Sequence, residues 1–162
     1  MFNVGDRVVH PMHGSGFIEG IESKIVGGIQ RDYYNVSIRG GNIRLMFPAD
    51  NNGAIRLREV ISSEMAVSVL EHFRSVEIDM NAPWGKRYKE NSERIKTGDP
   101  KEVSEVVKAL MLRDKTVGLS TGDRQMMVTA RNILISELAM VLEREGAAIQ
   151  AELETVINET IG

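Results

Sequence analysis

Two hydrophobic rhythms divide the chain near residue 53. Before it, apolar and polar residues alternate in short stretches broken by glycine and asparagine, the period-two pattern of half-buried strands. GDRVVH opens the series, and GFIEGIESKIV follows, ending at the turn Gly27-Gly28. DYYNVSIR alternates and is rich in β-formers. Gly40-Gly41-Asn42 reads as a hairpin turn, because glycine and asparagine accept positive φ. NIRLMFP is closed by Pro48, NNG at 51–53 is a further turn, and IRLREV supplies one more short strand. Five short strands at this spacing predict a small barrel of SH3 or Tudor type.

From Ser62 onward the apolar residues recur every three or four positions. Met65, Val69 and Phe73 mark a first helix. A second starts at Pro83 and runs to about Lys96, with Gly98 as its stop. Asp99 is a good N-cap for a third, with Pro100 in its first position and Val103, Val106, Val107, Leu110 and Met111 on its apolar face. Ser120, with Asp123 three residues on, resembles a capping box whose usual acidic partner is longer. The helix it opens is predicted to run to about Arg144, carrying Met127, Ala130, Ile133, Leu134, Leu138 and Val141. Ala147 to Ile161 forms the last helix, and Glu77 to Pro83 is the expected flexible connection. The class is therefore α+β. Residues 1–54 form a small Tudor- or SH3-like β-barrel, and residues 55–162 a compact bundle of four to five helices.

Composition narrows the chemistry. The 162 residues include no cysteine, which excludes disulfides and thiolate zinc sites. No apolar run approaches the roughly 20 residues of a bilayer span, and the start MFNVGDRVVH has no signal-peptide pattern, so a cytoplasmic protein without a membrane partner is expected. The sequence contains no Walker A or GxGxxG motif. His10 and His13 sit near Pro11 and Gly14, but no further ligands cluster at usable spacing, and a polar turn after the first strand accounts for them. Neither an enzyme, a metal, a cofactor nor a small-molecule substrate is expected. The net charge of −3 makes no chain-wide case for nucleic acid. A DNA site would have to be local, since phosphate attraction decays over about 8 Å in physiological salt.

One segment meets that condition. Trp84 to Lys96 holds the only tryptophan, with five basic residues against two acidic. Arg87 and Arg94 are seven apart, as are Lys89 and Lys96, so each pair shares a helical stripe. Minor-groove proteins combine cations on phosphates with an apolar wedge against the base stack. Equally, a lone tryptophan can be core, and a basic stripe can be a solvated face. Arg124 and Arg131 would extend the basic surface or be simply solvated. A second feature is the strand Ile43–Pro48. If Ile43, Leu45 and Phe47 point inward, Arg44, Met46 and Pro48 point outward. A one-residue slip reverses this, and Leu45 with Phe47 favours the first register. An edge strand there would invite a partner strand.

These features occur together in the order Val4-Gly5-Asp6-Arg7-Val8-Val9-His10-Pro11-Met12-His13-Gly14, then Met46-Phe47-Pro48, then Trp84-Gly85-Lys86-Arg87-Tyr88-Lys89. Lys96-Thr97-Gly98-Asp99 and Leu119-Ser120-Thr121-Gly122-Asp123-Arg124 complete the series. Over essentially its whole length the chain resembles the CarD/CdnL family of bacterial regulators, whose first domain also resembles one in the transcription-repair coupling factor. The resemblance implies a Tudor-like domain that binds the RNA polymerase β subunit. It also implies a helical domain that touches promoter DNA near the −10 element and stabilises the open complex. It assigns the fork-wedge role to Trp84, and phosphate contacts to Lys86, Arg87 and Lys89. Polymerase contacts fall on Met46 and Pro48, with Lys24 and Arg44 as weaker candidates. Some members have arginine at the positions of Met46 and Lys24, which implies a more apolar polymerase interface here. A surface role for Arg87 implies that its truncation leaves the melt unchanged. The competing class is an RNA-binding or ribosome-associated SH3-like module, against which stand the few exposed aromatic platforms and the absence of a basic pI.

Overall fold

Val8 and Val9 sit in a four-residue strand that pairs on both sides with other strands, and the chain folds there into an antiparallel sheet. The computed structural model describes residues 2–38, 43–50, 56–81 and 83–162. The strands are β1 (Arg7–His10), β2 (Gly14–Val26), β3 (Ile29–Ile38), β4 (Ile43–Pro48) and β5 (Arg58–Glu59). Their order is β4-β3-β2-β1-β5, so β4 and β5 end the sheet, as in a small barrel left open between them. The predicted turns at residues 40–42 and 51–53 lie outside the described residues. Gly27 and Gly28 have φ of +60° and +79°, the conformation a two-residue hairpin turn demands.

Val8, Ile18, Tyr34, Val36, Ile38 and Leu57 form the core of the sheet, with Leu45 and Phe47 packed against it. A bulge between Ile18 and Gly20 resets the alternation along β2. Gly16 is fixed by sterics, because a β-carbon there would fall 2.1 Å from the Ser37 carbonyl oxygen. Two compact units are present, Met1–Val60 and Ile61–Gly162. The first runs past the expected limit of 54 because Val8 and Val9 of β1 pair with Glu59 and Arg58 of β5.

The second unit contains α1 (Ser63–Ser75), α2 (Trp84–Lys96), α3 (Pro100–Thr116), α4 (Thr121–Leu142) and α5 (Gly146–Ile161). The caps follow the sequence. Ser62, Asp99 and Ser120 accept from the backbone N–H groups of Met65, Lys101 and Asp123. Met65 differs from its predicted role, being exposed while Ala66 fills the core beside Val69 and Phe73. α4 ends at Leu142, close to the expected limit near Arg144, where Glu143 turns left-handed with φ of 54°. By length and hydropathy α4 is a candidate membrane span, but it carries buried Asp123 and Glu137 and packs on α1, α3 and α5. The Lys108 ammonium is buried and donates to the carbonyls of Arg74 and Val76, 3.1 and 2.7 Å away. It caps the carboxyl end of α1 as a cation, and burial lowers its pKa.

His10 closes β1 and His13 lies in the turn that follows it, where the sequence placed a polar turn. The His10 ring stacks on Phe47 at 4.8 Å, and its Nδ1 accepts from the Met12 N–H at 3.1 Å. Burial, helped by His13, pushes the His10 pKa from 6.5 down to about 4. Between those values the unfolded chain takes up a proton that the folded chain refuses, so stability falls as pH drops from about 6.5 to about 4. Denaturant titrations across that range should show up to about 3 kcal/mol more loss in the wild type than in His10→Phe, which keeps the stack without the titration. Parallel pH profiles would refute this.

Candidate functional site

α2 carries both of the basic stripes that the spacing placed on it, and they face opposite ways. Pro83 opens the helix with φ of −58°, and Trp84 is its first residue. The Trp84 side chain is 51% exposed, which settles the choice between core and surface in favour of a half-bare ring. Its indole N–H donates to Asp123 Oδ2 at 3.0 Å, and its face stacks on Tyr88 at 5.3 Å and 25°. Asp123 is only 1% exposed and sits in the first turn of α4. Its own N–H is capped by Ser120 Oγ at 3.1 Å. That is half of the predicted capping box, and the carboxylate of the other half is turned toward α2.

Arg87 shares this carboxylate. Its Nη2 lies 3.1 Å from Asp123 Oδ2, and the side chain is 11% exposed. Arg87 therefore does not sit on the surface as expected, because a nearly buried carboxylate one helix away holds its guanidinium. Arg94, on the same stripe, donates to Glu102 and Glu105 of α3. Glu105 also meets His72 of α1 at 2.6 Å. Burial acts to raise the Glu105 pKa, and the hydrogen bonds from Arg94 and His72 outweigh it, leaving it below the usual carboxylate range. The lysines point the other way. Lys86, Lys89 and Lys96 are exposed, and Lys86 has only a loose contact with Glu90 at 3.9 Å. Arg124 is exposed but pairs with Asp114 at 2.9 Å, and Arg131 is half-buried, so neither adds the open cation that the spacing suggested.

In the β unit, β4 has the first of the two possible registers. Leu45 and Phe47 pack inward, while Arg44, Met46 and Pro48 are exposed, with Met46 at 41%. Ile43, expected inside, is 37% exposed at the start of the strand. Met46 pairs with Asn35, Pro48 with Tyr33, and Lys24 with Arg31 one row further on, so Met46, Pro48 and Lys24 share the outer face. Arg44 contacts Glu19 at 3.5 Å and Lys24 contacts Glu22 at 3.9 Å, which partly neutralises the cations on this face. Asp123, Tyr88 and the Glu102–Glu105 pair were not read as site residues from sequence. The short acid in the capping-box position was the available signal for Asp123.

Comparison with known proteins covers nearly the whole chain. Residues 2–61 match the family model described as the CarD-like/TRCF RID domain, and residues 68–154 match the one described as CarD, C-terminal domain. A candidate transcription factor of Bacillus subtilis (strain 168), YdeB, is 36% identical over 141 residues, covering 87% of this chain and 92% of the relative. The transcription-repair-coupling factor of Staphylococcus haemolyticus (strain JCSC1435) is 26% identical over 121 residues, covering 75% of this chain but only 9% of that protein.

The buried pair reverses the expectation for Arg87. Arg87→Ala leaves the Asp123 charge with one donor fewer inside the helical unit. It should lower stability by about 3 kcal/mol, read as an earlier thermal or urea transition. An unshifted transition would mean that the pair contributes nothing to the fold.

Proposed function

The chain belongs to the CarD/CdnL family of transcription factors, and from that premise we propose that it is a cytoplasmic, non-enzymatic regulator that grips RNA polymerase with its β unit and promoter DNA with its helical unit. The observation that carries this reading is Trp84, a half-exposed aromatic ring held rigidly beside the open lysines of α2. A ring with one bare face and cations alongside suits the edge of an opening duplex, where the lysines meet phosphates and the ring opposes reannealing. The DNA-contacting set is Trp84, Lys86 and Lys89, with Lys96 on the same exposed stripe as Lys89. Arg87 supports them from inside. The polymerase β subunit is met by the outer face of β4, with Met46 and Pro48 as the apolar centre and Arg44 and Lys24 at its margin. The protein works as a monomer, without cofactor, metal or small-molecule substrate.

A factor of this kind acts by differential binding, stabilising the open promoter only as far as it interacts better with open than with closed DNA. Anchoring on polymerase raises the effective concentration of a weak DNA site. No base-specific pattern is needed, so one protein serves many promoters. A pull-down from bacterial lysate should recover polymerase β. Ribosomal proteins or RNA in its place would favour an SH3-like RNA-binding module.

Met46→Asp should fold normally and lose polymerase binding, because it puts a charge into a desolvated contact at a cost of a few kcal/mol. Residues 1–60 alone should bind as the full chain does. A folded Met46→Asp protein with wild-type affinity would place the interface elsewhere. Trp84→Ala should keep polymerase binding and shorten the lifetime of competitor-challenged open complexes by up to a few kcal/mol in activation terms. An unchanged lifetime would remove the wedge.

A further inference from the structure

Trp84 is bare on one side and yet not loose. Two contacts hold it, the Tyr88 ring beneath its face and the Asp123 carboxylate at its indole nitrogen. The second is unusual in kind, because Asp123 is 1% exposed and uses a single oxygen, Oδ2, for both the Trp84 N–H and Arg87. Its other oxygen, Oδ1, is buried with no hydrogen-bond partner among the described residues. A buried carboxylate is costly unless donors and a favourable field meet it. Here the donors are two residues of α2, and the field is that of the N-terminal turn of α4. The arrangement fixes the ring in plane and in tilt.

We propose that Asp123 is the positioning residue of the DNA interface: it clamps the Trp84 indole N–H so that the ring meets nucleic acid only through its faces and apolar edge. This rests on the DNA-contacting role of Trp84 given above. Two consequences follow from the geometry. The ring arrives at the duplex already oriented, so little rotational freedom is lost on contact. Its single hydrogen-bond donor is spent inside the protein, so it cannot read acceptors on a base edge. Contact through a face is tolerant of sequence, because every base has a π-face. Asp123 therefore sets both the strength and the base-neutrality of the contact.

Trp84 is the only tryptophan, so intrinsic fluorescence excited beyond the tyrosine band reports on it alone. The full chain is compared with Asp123→Ala and Asp123→Asn, each also in a Trp84→Phe background for the lifetime assay. Asp123→Ala should red-shift the emission, raise acrylamide quenching and shorten the open-complex lifetime on polymerase holoenzyme by about tenfold, the worth of a charge-assisted hydrogen bond. Asp123→Asn, which keeps an acceptor but not the charge, should fall between wild type and alanine in all three. Polymerase affinity should not move. In the Trp84→Phe background, which has no N–H to clamp, Asp123→Asn should no longer change the lifetime.

Emission and quenching identical to wild type in either variant would overturn the proposal. So would an equal lifetime loss in both backgrounds, which is the mark of a merely structural residue. If Asp123→Ala does not fold, Asp123→Asn carries the same readouts. If Trp84→Ala itself leaves the open-complex lifetime at the wild-type value, the DNA role of Trp84 has failed. The fluorescence of Asp123→Asn then decides the clamp separately.

Discussion

A carboxylate taken out of water must be given donors or it will not stay charged, and the helical unit is organised around one such group. Asp123 draws the start of α2 toward the start of α4 through Trp84 and Arg87. Further along α2, Arg94 repeats the arrangement with Glu102 and Glu105 of α3. Arginine suits these sites because its planar fork donates in fixed directions. Lysine, a flexible point charge, is left on the outer face, where a phosphate or solvent can reach it. The division of cations on one helix thus separates those that hold the bundle together from those available to a partner.

The β unit shows a simpler version of the same separation. Alternation along β4 sends Leu45 and Phe47 into the core and leaves Met46 and Pro48 outside. The strand ends the sheet order, so its outer edge has no ladder partner among the described residues. A side chain that gives little to the fold is free to serve an interface, and here that is a polarizable methionine suited to an irregular apolar contact.

Much of this was legible in the sequence because it rests on local rules. Ser62, Asp99 and Ser120 are caps by chemistry alone, Pro100 opens a helix, and Gly27-Gly28 turns a hairpin. Leu45 and Phe47 pointed to the right register of β4. What was not legible depends on which neighbour a face meets. Spacing put Arg87 and Arg94 on one stripe but could not say that acids from α3 and α4 lay across it, so both read as surface cations. The apolar helical rhythm offered Met65 where the shorter Ala66 fits the core. The change of rhythm placed a boundary at residue 54 although IRLREV read as a fifth strand, because only the pairing of Arg58 and Glu59 with β1 assigns that strand to the first unit. A half-exposed tryptophan likewise cannot be told from a buried one until the helices packed around its ring are seen.

The inward arginines have a mechanical side. A helix seated only on greasy contacts can roll about its axis under a sideways push, because apolar packing is non-directional. α2 is pinned at two points along its length, near its start by Arg87 and near its end by Arg94, and the two anchors run to different helices. A torque delivered at the Trp84 ring is therefore carried into α3 and α4 together instead of being lost in rotation of α2. The ring behaves as the tip of a braced lever, and its stiffness is that of the whole bundle.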